Sequence, residues 1–463
     1  MDRETGGEKH MHRLSEAITN RPWRRLLPAA WLAFAAGCGG LEAGAEASED
    51  PSTEERVPQE AGPIVPSSPG ATPPSEAAPV AQAQPWFHRV GGPQDDLGTG
   101  LAVDGSGHVS LVWLSTPRQD ADRAPVEGEQ LALSLARYDP EGQRLWTREF
   151  PRNRVDAPRV VASPGGDLFL SGNAFLYDID FGLGAASDGF LVKFSPEGEP
   201  LWQRRAGQKV YATVADASGG VFVAAEEWTP DGLLPVLAHH DAQGAFVWTR
   251  QLDVVERGTE LRAAAWTPSG QWLLAGRLQG ALTVDGQRFG APGEPSLLLL
   301  AFGGDGRLAW GKAWPGVDAH VSGLEVDPAG GGVLVGGFSG DLTWGGSRLS
   351  GPGAFVLATG AEGAERWARA LPCGQAPAAP AVTLDGEGSV AAVCGDTLSR
   401  YSLEGEPRNE QVLTPGECSE GNCPVVATAL DFVPGHGLGL TGLQRHGDAV
   451  TGDQEAFLRL LAP

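Results

Sequence analysis

Histidine and carboxylate side chains are the groups in this chain whose types could support acid–base or metal chemistry. Beyond residue 85 the histidines are His88, His108, His239, His240, His320, His436 and His446. They form no HExxH motif and no Cys/His spacing suited to zinc, and the sequence has neither a GxSxG elbow nor a Walker loop. We therefore predict no catalytic residue, no metal site and no cofactor.

Two pairs of adjacent polar residues come nearest to a reactive cluster. His239 and His240 end a predicted strand, where neighbouring side chains point to opposite faces, so the pair cannot readily chelate one ion. Asp95 and Asp96 could face a central axis, but we interpret them as solvated turn residues. Neither pair indicates an active site.

The thiol of Cys38 has a more specific setting. Arg21, Arg24 and Arg25 precede the apolar run LLPAAWLAFAAG, which is too short to span a bilayer and ends at Cys38. The segment from Ala35 to Cys38 resembles a bacterial lipobox, in which small residues fit the signal peptidase and the cysteine thiol is acylated. The resemblance predicts an exported lipoprotein.

This resemblance implies a signal peptide over residues 1–37 and a lipid anchor on Cys38. Each buried CH₂ of an acyl chain contributes about 0.8 kcal/mol, so two or three chains hold a protein to a membrane. A plain secretory signal remains the alternative, because Ala35 stands where a lipobox prefers Leu. Gly39 follows the cysteine in place of Asp, which favours the outer membrane and leaves its periplasmic and surface sides both open.

Four further cysteines lie toward the C-terminus, at Cys373, Cys394, Cys418 and Cys423. An even number in an exported chain indicates two disulfides, and four cysteines allow three pairings. We prefer Cys373 with Cys394, which bracket a predicted antiparallel hairpin, and Cys418 with Cys423 across the segment SEGN. The other pairings stay open.

The segment after Cys38 differs in composition from the rest of the chain. Residues 39–84 are mostly Ala, Glu, Pro, Ser and Gly, with almost no large apolar side chain. Such a segment cannot bury enough apolar surface to offset its ordering entropy. We predict that residues 38–84 form a lipidated, disordered tether and that residues 85–463 fold.

The net charge of the chain excludes one class of partner. The formal charge is −24, and residues 86–463 carry 27 basic and 46 acidic groups. A body this acidic repels phosphate backbones, so we predict no nucleic-acid partner.

A short signature recurs through the folded region. It reads DPEGQRLW ending at Trp146, SPEGEPLW at Trp202, DAQGAFVW at Trp248, GGDGRLAW at Trp310 and GAEGAERW at Trp367. A unit returning about every 54 residues, with strands alternating with Gly-containing turns, is typical of a β-propeller. The sequence therefore predicts an all-β repeat fold.

The number of blades follows from the number of fourth strands. Trp86 begins the series and Asn409, in SLEGEPRN, takes the tryptophan position of a degenerate sixth repeat, which gives seven. The last unit, residues 424–461, supplies only three strands, whereas PWFHRVGG around Trp86 lacks a preceding three. We predict seven four-stranded antiparallel blades, with the N-terminal strand closing the last blade.

The repeated residues of the signature could be mistaken for binding groups. An indole can stack on a sugar, but a tryptophan present in nearly every blade is better explained by packing between blades. Asp139, Asp241 and Asp305 could suggest calcium, but a turn with one carboxylate offers too few oxygens, so we interpret them as turn residues.

The repeat resembles the SBBP-type β-propeller repeats of bacterial cell-surface proteins. Two stretches carry the resemblance: VSGLEVDPAGGGVLVGGFSGDLTWGGSRL from Val321, followed by FVLATGAEGAERW, and the unit from Val160 through YDIDFGLG and SDGFLVKFSPEGEPLW. The resemblance covers residues 86–463, and more weakly in the third and sixth blades. It implies a propeller fold and a surface location, and it implies no reaction.

We predict a non-catalytic, monomeric binding module of the cell envelope that presents variable loops of one face to a protein or glycan. The variable loops are STPRQDADRAPVEGE from Ser115, WTPDGL from Trp228 and QRHGDAVTGDQ from Gln444. Two alternatives remain: a polysaccharide hydrolase or lyase with an axial site, and a scaffold subunit of an outer-membrane complex. An acidic cluster on the axis favours the enzyme, and a broad apolar patch favours the scaffold.

Overall fold

A computed structural model describes the folded region of the chain, residues 84–463, with gaps at 93, 117–130, 152–154, 231, 255, 257, 375–378, 386–387, 415–423, 447–452 and 463. The predicted signal peptide, most of the predicted tether, Cys38, Cys418 and Cys423 lie outside the described residues. No helix in the described part has the length and hydrophobicity that a membrane span requires.

All regular structure in these residues is β. The first half of the chain forms β1 (Phe87–Val90), β2 (Asp95–Val103), β3 (Val109–Thr116), β4 (Ala132–Tyr138), β5 (Arg144–Pro151), β6 (Val155–Ala162), β7 (Leu168–Asp180), β8 (Ala185–Phe194), β9 (Pro200–Arg205), β10 (Lys209–Ala215), β11 (Val221–Thr229), β12 (Gly232–His240), β13 (Phe246–Gln251), β14 (Asp253–Val254) and β15 (Glu260–Trp266). The second half forms β16 (Gln271–Val284), β17 (Gln287–Gly303), β18 (Leu308–Pro315), β19 (Ala319–Val326), β20 (Gly332–Phe338), β21 (Asp341–Trp344), β22 (Ser347–Ser350), β23 (Gly353–Thr359), β24 (Glu365–Leu371), β25 (Ala381–Leu384), β26 (Val390–Cys394), β27 (Thr397–Tyr401), β28 (Pro407–Val412), β29 (Val425–Val433), β30 (Gly437–His446) and β31 (Asp453–Leu461).

The strands assemble into seven antiparallel blades, which confirms the predicted fold class. Blade one is β2–β5, blade two β6–β9, blade three β10–β13, blade four β15–β18 with the short β14 added, blade five β19, β20, β23 and β24, blade six β25–β28, and blade seven β29–β31 with β1. Within each blade the first strand is innermost and the fourth outermost. All turns between strands one and two, and between three and four, therefore lie on one face, called here the turn face. The remaining connections lie on the opposite face, called the loop face.

The N-terminal strand closes the ring as predicted. β1 pairs antiparallel with β31, from Phe87 opposite Arg459 to Val90 opposite Ala456. Leu460 also donates its backbone N–H to the carbonyl of Trp86 at 2.9 Å. Strands from the two ends of the folded region thus complete one sheet, so the outer edge of β31 is paired.

Three blades carry an extra hairpin between their second and third strands. In blades two and four the hairpin is an extension of the strands themselves, and in blade five it is the separate pair β21–β22. Each hairpin folds back along the outside of its blade: Asp285 accepts a hydrogen bond from the backbone N–H of Leu308, and Gly345 donates to Glu365. Apolar side chains on these hairpins, such as Ile179 and Trp344, are fully buried.

The core lies between neighbouring blades. The second and third strands are buried on both faces, as in VSLVW of β3 and VAAVC of β26, because each is covered by the blades on either side. Blade six also carries a disulfide between Cys373 and Cys394, which is the pairing preferred from the sequence. Its sulfur atoms pack beside the cluster that contains Val390 and Tyr401.

Candidate functional site

The inner strands of the propeller surround an axial pocket, and a repeated irregularity shapes it. Six of the seven innermost strands, β2, β6, β10, β15, β19 and β29, contain a register shift near their loop-face end. A β-bulge of this kind changes the direction in which a side chain points, relative to the regular alternation of the strand. Side chains at or beside five of the bulges line the pocket: Thr99, Arg159, Arg262, Ser322 and Thr428.

The pocket has the size of a small-molecule or side-chain binding site. Its volume is about 580 Å³, within the range of roughly 300–1,000 Å³ for ligand sites. The lining residues lie near the start of first strands or the end of a second strand, as Gly337 does, so the pocket opens on the loop face. Ala157 in its wall is a non-glycine residue with a φ of +49°, a strained conformation of a kind that clusters at functional sites.

Two arginines give the axial pocket a positive charge where it opens on the loop face. Burial and the nearby Arg262 lower the pKa of Arg159 to about 10, which still leaves its guanidinium charged at neutral pH. Arg262 donates to Glu260 at 2.7 Å, and this hydrogen bond raises the pKa of Arg262. Among the described residues, no hydrogen-bond or ion-pair partner occupies the guanidinium of Arg159. The pocket therefore presents one arginine that is neutralised by a carboxylate and one that is available.

Further polar groups surround the two arginines. The hydroxyl of Tyr211 donates to Glu226 at 2.6 Å, and burial raises the pKa of that carboxyl. The guanidinium of Arg262 also lies over the Tyr211 ring, 5.6 Å from its centroid. His320 approaches Glu260 at 3.7 Å. The wall thus combines cationic, hydroxyl and aromatic groups, a set suited to binding polar ligands.

The hydroxyl groups in the ring of bulges connect neighbouring blades. Ser322 of blade five donates to the carbonyl of Pro380 at 2.5 Å, and Thr428 of blade seven donates to the carbonyl of Gly98 at 2.6 Å. These bonds hold the inner strands in register, so part of the ring is structural. Arg159 is the member of the ring whose guanidinium has no partner among the described residues.

A half-buried acidic pair, Glu325 and Asp431, lies further along the inner strands toward the turn face. Burial, with a smaller effect of Asp431, raises the pKa of Glu325 to about 8, so Glu325 is protonated at neutral pH. Burial likewise raises the pKa of Asp431 to about 6. Asp431 accepts backbone N–H groups of Val103 and Phe432, each at 2.8 Å, and so ties blade seven to blade one.

The repeated tryptophans pack between blades, as expected from their place in the repeat. In five blades the indole Nε1 donates, at 2.7–3.1 Å, to a carbonyl in the turn between the third and fourth strands of the next blade. The indole ring lies against the glycine of the same turn, and a Cβ on Gly198 would stand only 2.8 Å from the ring of Trp146. We call this arrangement the Trp–Gly contact.

A second residue, which the sequence analysis missed, reinforces the Trp–Gly contact. Two positions after the tryptophan, Arg148 donates its Nε to the carbonyl of Gly198 at 2.9 Å, and Arg204 does the same to Gly244 at 2.6 Å. His88 occupies the equivalent position and approaches the carbonyl of Gly142 at 2.7 Å. The spacing Trp-x-Arg/His was the signal that could have identified this bond.

The adjacent pairs singled out in the sequence do not form a reactive centre. His239 lies 2.8 Å from Asp216 and stacks on Phe222, whereas His240 is buried against Trp202. No group of three or more histidine, cysteine or acidic side chains is placed to hold a metal within the described residues.

Asp96 departs from the predicted solvated turn. The pair Asp95–Asp96 begins strand β2, and Asp96 is buried. Its carboxylate accepts hydrogen bonds from Ser115 at 2.5 Å and from the backbone N–H of Gly92 at 2.8 Å. Burial nevertheless raises its pKa to about 6. The carboxylate fixes the segment that joins blade seven to blade one.

The turn aspartates behave as interpreted. Asp241 accepts the backbone N–H groups of Gln243 and Ala245 within its own turn, at 3.0 and 2.8 Å. Asp139 and Asp305 accept equivalent bonds from Gln143 and Arg307.

Only one of the three predicted variable loops lies mostly within the described residues. The segment WTPDGL from Trp228 is a tight turn in which Thr229 donates to the carbonyl of Gly232 at 2.9 Å, so it is not an irregular loop. Most of the other two loops, 117–130 and 447–452, falls outside the described residues.

Comparisons with known proteins give distant structural similarity. No family model matches the chain, and no curated protein matches it. A chain of the mitotic checkpoint complex is similar over 87% of this chain and 99% of its own, with 12% identity and a TM-score of 0.46. The Neurospora crassa Pan2 WD40 domain covers 82% and 96%, with 11% identity and a TM-score of 0.46. A protein of unknown function from Bacteroides caccae covers 58% and 83%, with 12% identity and a TM-score of 0.35.

Proposed function

We propose that this protein is an exported, non-catalytic binding module of the SBBP repeat type, anchored at the outer membrane through acylated Cys38. Its ligand is a protein segment or glycan that carries an acidic group and enters the axial pocket from the loop face. The observation that carries the proposal is the guanidinium of Arg159, which is charged and has no partner in the described part of the chain, in a pocket of about 580 Å³. An arginine so placed favours a carboxylate, to which it can donate two parallel hydrogen bonds.

The start of the folded region and the axial pocket lie on opposite faces of the propeller. The fourth strand of every blade runs from the turn face to the loop face, and β1 is the fourth strand of blade seven. Residues 84–86 therefore enter the propeller at the turn face, whereas the axial pocket opens on the loop face.

The exposed apolar residues do not favour the scaffold alternative. Leu145, Leu201 and Val247 are each about half exposed, and they occupy equivalent positions on the fourth strands of three successive blades. Leu183 of blade two, Trp228 and Phe246 of blade three and Val412 of blade six are also exposed, so the exposed apolar side chains are distributed over four blades. An obligate scaffold interface usually has a more continuous apolar surface.

The ligand proposal is tested with the full-length protein, by affinity capture from envelope extract and by an array of neutral and uronic-acid glycans. We expect a partner rich in carboxylates, or selective binding of the acidic glycans. The variant Arg159→Gln should weaken binding about tenfold or more, because it removes a charged hydrogen-bond donor. Arg307→Gln is the matched control, since Arg307 is exposed and does not line the axial pocket. Equal binding by Arg159→Gln and the wild type would refute the axial site.

The anchor is tested separately, by palmitate labelling of cells that produce the protein. We expect label in the wild type and none in Cys38→Ser, because acylation requires the thiol. Release of unlabelled wild-type protein into the medium or periplasm would instead support the plain secretory signal.

A polysaccharide hydrolase or lyase is the second candidate, and the pair Glu325–Asp431 is the observation in its favour. A carboxyl that is protonated at neutral pH, beside one of lower pKa, is the arrangement used for general acid catalysis. Against it, both carboxylate oxygens of Asp431 already accept hydrogen bonds.

The enzyme candidate predicts release of reducing ends or unsaturated products from a polysaccharide panel. Activity that is lost in Glu325→Gln, in a variant that keeps the wild-type thermal transition, would establish it. Absence of product, or activity unchanged by Glu325→Gln, would remove this site from consideration.

A further inference from the structure

The seam between blades six and seven differs from the other seams on the turn face. In five seams an indole donates to the turn of the next blade, and in the seam between blades four and five the ring of Trp310 lies against Gly363 without that hydrogen bond. Blade six has Asn409 at the tryptophan position and Gln411 two residues later, and both side chains are exposed. Within the described residues, no tryptophan side chain therefore projects from blade six into the sixth seam.

The strand order explains why the tryptophan is missing. A Trp–Gly contact requires a turn between the third and fourth strands of the following blade. In blade seven these strands are β31 and β1, which come from the two ends of the folded region and share no turn. The indole would have no glycine to pack against and no turn carbonyl to receive its N–H.

A cavity of about 420 Å³ lies in this seam. Phe432 and Leu438 of blade seven form its apolar side, and the glycines at 435 and 437, in the turn between the first and second strands, leave its wall without side chains. Asn409, at the tryptophan position, lies on the blade-six side. The cavity thus offers an apolar wall next to the position from which other blades project an indole.

Two arginines of blade six also line this cavity, and one of them lacks a partner. In blade one the equivalent residue Arg137 pairs with Asp104 and donates to the carbonyl of Gly166 in the next blade at 2.7 Å. In blade two, Lys193 pairs with Asp167 at 2.8 Å and also reaches the next blade. The guanidinium of Arg400, at the same position of blade six, forms no hydrogen bond or ion pair with any described residue.

The remaining polar groups give the cavity an excess of positive charge. Arg408 donates one hydrogen bond to Ser389, which leaves further N–H groups of its guanidinium available. Asp385 is the one carboxylate in the described lining, and its Oδ1 accepts the backbone N–H of Ser389 at 2.6 Å. His436 also lines the cavity, and its Nε2 lies 3.6 Å from the carboxylate of Glu141. The charge therefore favours an anionic ligand.

We propose that the cavity between blades six and seven is a second binding site, which takes an aromatic carboxylate. The ring packs against Phe432 and Leu438, beside Asn409, which stands at the tryptophan position. The carboxylate receives hydrogen bonds from Arg400, whose planar fork matches its two oxygens. This site lies on the turn face and does not depend on the function proposed for the axial pocket.

The test uses indole-3-propionate as the probe, titrated calorimetrically into the full-length protein. We expect saturable binding with a Kd below about 1 mM. The neutral amide of the same compound should bind at least about tenfold more weakly, because it cannot form the charged hydrogen bonds. No saturation by the carboxylate, or equal affinity for the amide, would overturn the proposal.

Variants locate the probe. Arg400→Gln should weaken binding about tenfold. The affinity of Arg400→Lys should fall between that of Arg400→Gln and that of the wild type, because lysine keeps the positive charge but lacks the planar guanidinium that donates two parallel hydrogen bonds. Asn409→Trp should abolish binding, because it supplies an indole from the chain itself. Arg307→Gln is the matched control and should bind as the wild type does, because Arg307 is exposed and lines neither the cavity nor the axial pocket. Wild-type affinity in Arg400→Gln and Asn409→Trp, or lost affinity in Arg307→Gln, contradicts the proposed site.

Discussion

Individual side chains in the axial channel make the stability of this protein depend on pH. Arg159 and Arg262 lie at the loop-face end, and Glu325 and Asp431 lie closer to the turn face. Burial holds Glu325 in its neutral form up to about pH 8, far above the range in which a solvated glutamate ionises. The two arginines remain charged over the same range, so ligand binding and stability should respond to pH through different residues.

Replacing Glu325 with glutamine should remove a specific pH dependence. Because the pKa of Glu325 is higher in the folded than in the unfolded state, the folded state binds more protons, and stability falls as pH rises from about 4.5 to about 8. Thermal unfolding measured at pH 5, 7 and 8 should show the wild type losing at least about 1 kcal/mol relative to Glu325→Gln. If the stabilities of the two proteins changed with pH in the same way, the Glu325 carboxyl would be shown to titrate normally.

At the scale of elements, a pair of residues in adjacent blades recurs around the ring. A fourth-strand tryptophan packs on a turn glycine, and an arginine or histidine two residues later donates to the carbonyl of the same glycine. Glycine is required at this position for two reasons: its φ is positive, and a side chain would clash with the indole ring. A fourth-strand tryptophan packs on the next blade at the turn face in every seam except that between blades six and seven, whereas the bulged inner strands are linked at the loop face.

Substitution of a glycine in a Trp–Gly contact should lower the stability of the fold more than substitution of a glycine that faces no indole. Gly198 and Gly286 have similar backbone conformations, with φ of +83° and +76°, but only Gly198 faces an indole. Gly198→Ala should therefore destabilise the fold by about 1–3 kcal/mol more than Gly286→Ala, because overpacking adds to the shared backbone strain. The comparison is made by thermal or denaturant unfolding. Equal losses would mean that Trp146 moves aside without cost.

At the scale of the whole molecule, the ring depends on β1. This strand covers the outer edge of β31, and Trp86 packs on the turn of blade one, so blades one and seven are joined by the same few residues. The closure also places the entry of the chain on the turn face. It leaves the sixth seam as the place where an aromatic group is missing.

Deletion of residues 84–90 should lower the thermal transition by several degrees, because it exposes the edge of β31 and removes one Trp–Gly contact. Deletion of residues 77–83, which precede the strand, is the control and should leave the transition unchanged. A transition that stays constant after removal of β1 would show that the ring does not require this strand for stability.

The sequence by itself determined the repeat, the number of blades, the closing strand and the packing role of the tryptophans. These follow from local periodicity and from the spacing of turn residues, which a chain displays without folding. Only the tertiary structure decided which side chains meet. The bulges that aim Arg159 into the axis, the burial of Asp96 and the unpaired Arg400 all arise between blades that are distant in sequence. No local pattern encodes such contacts, because they depend on how seven similar units are arranged around one axis.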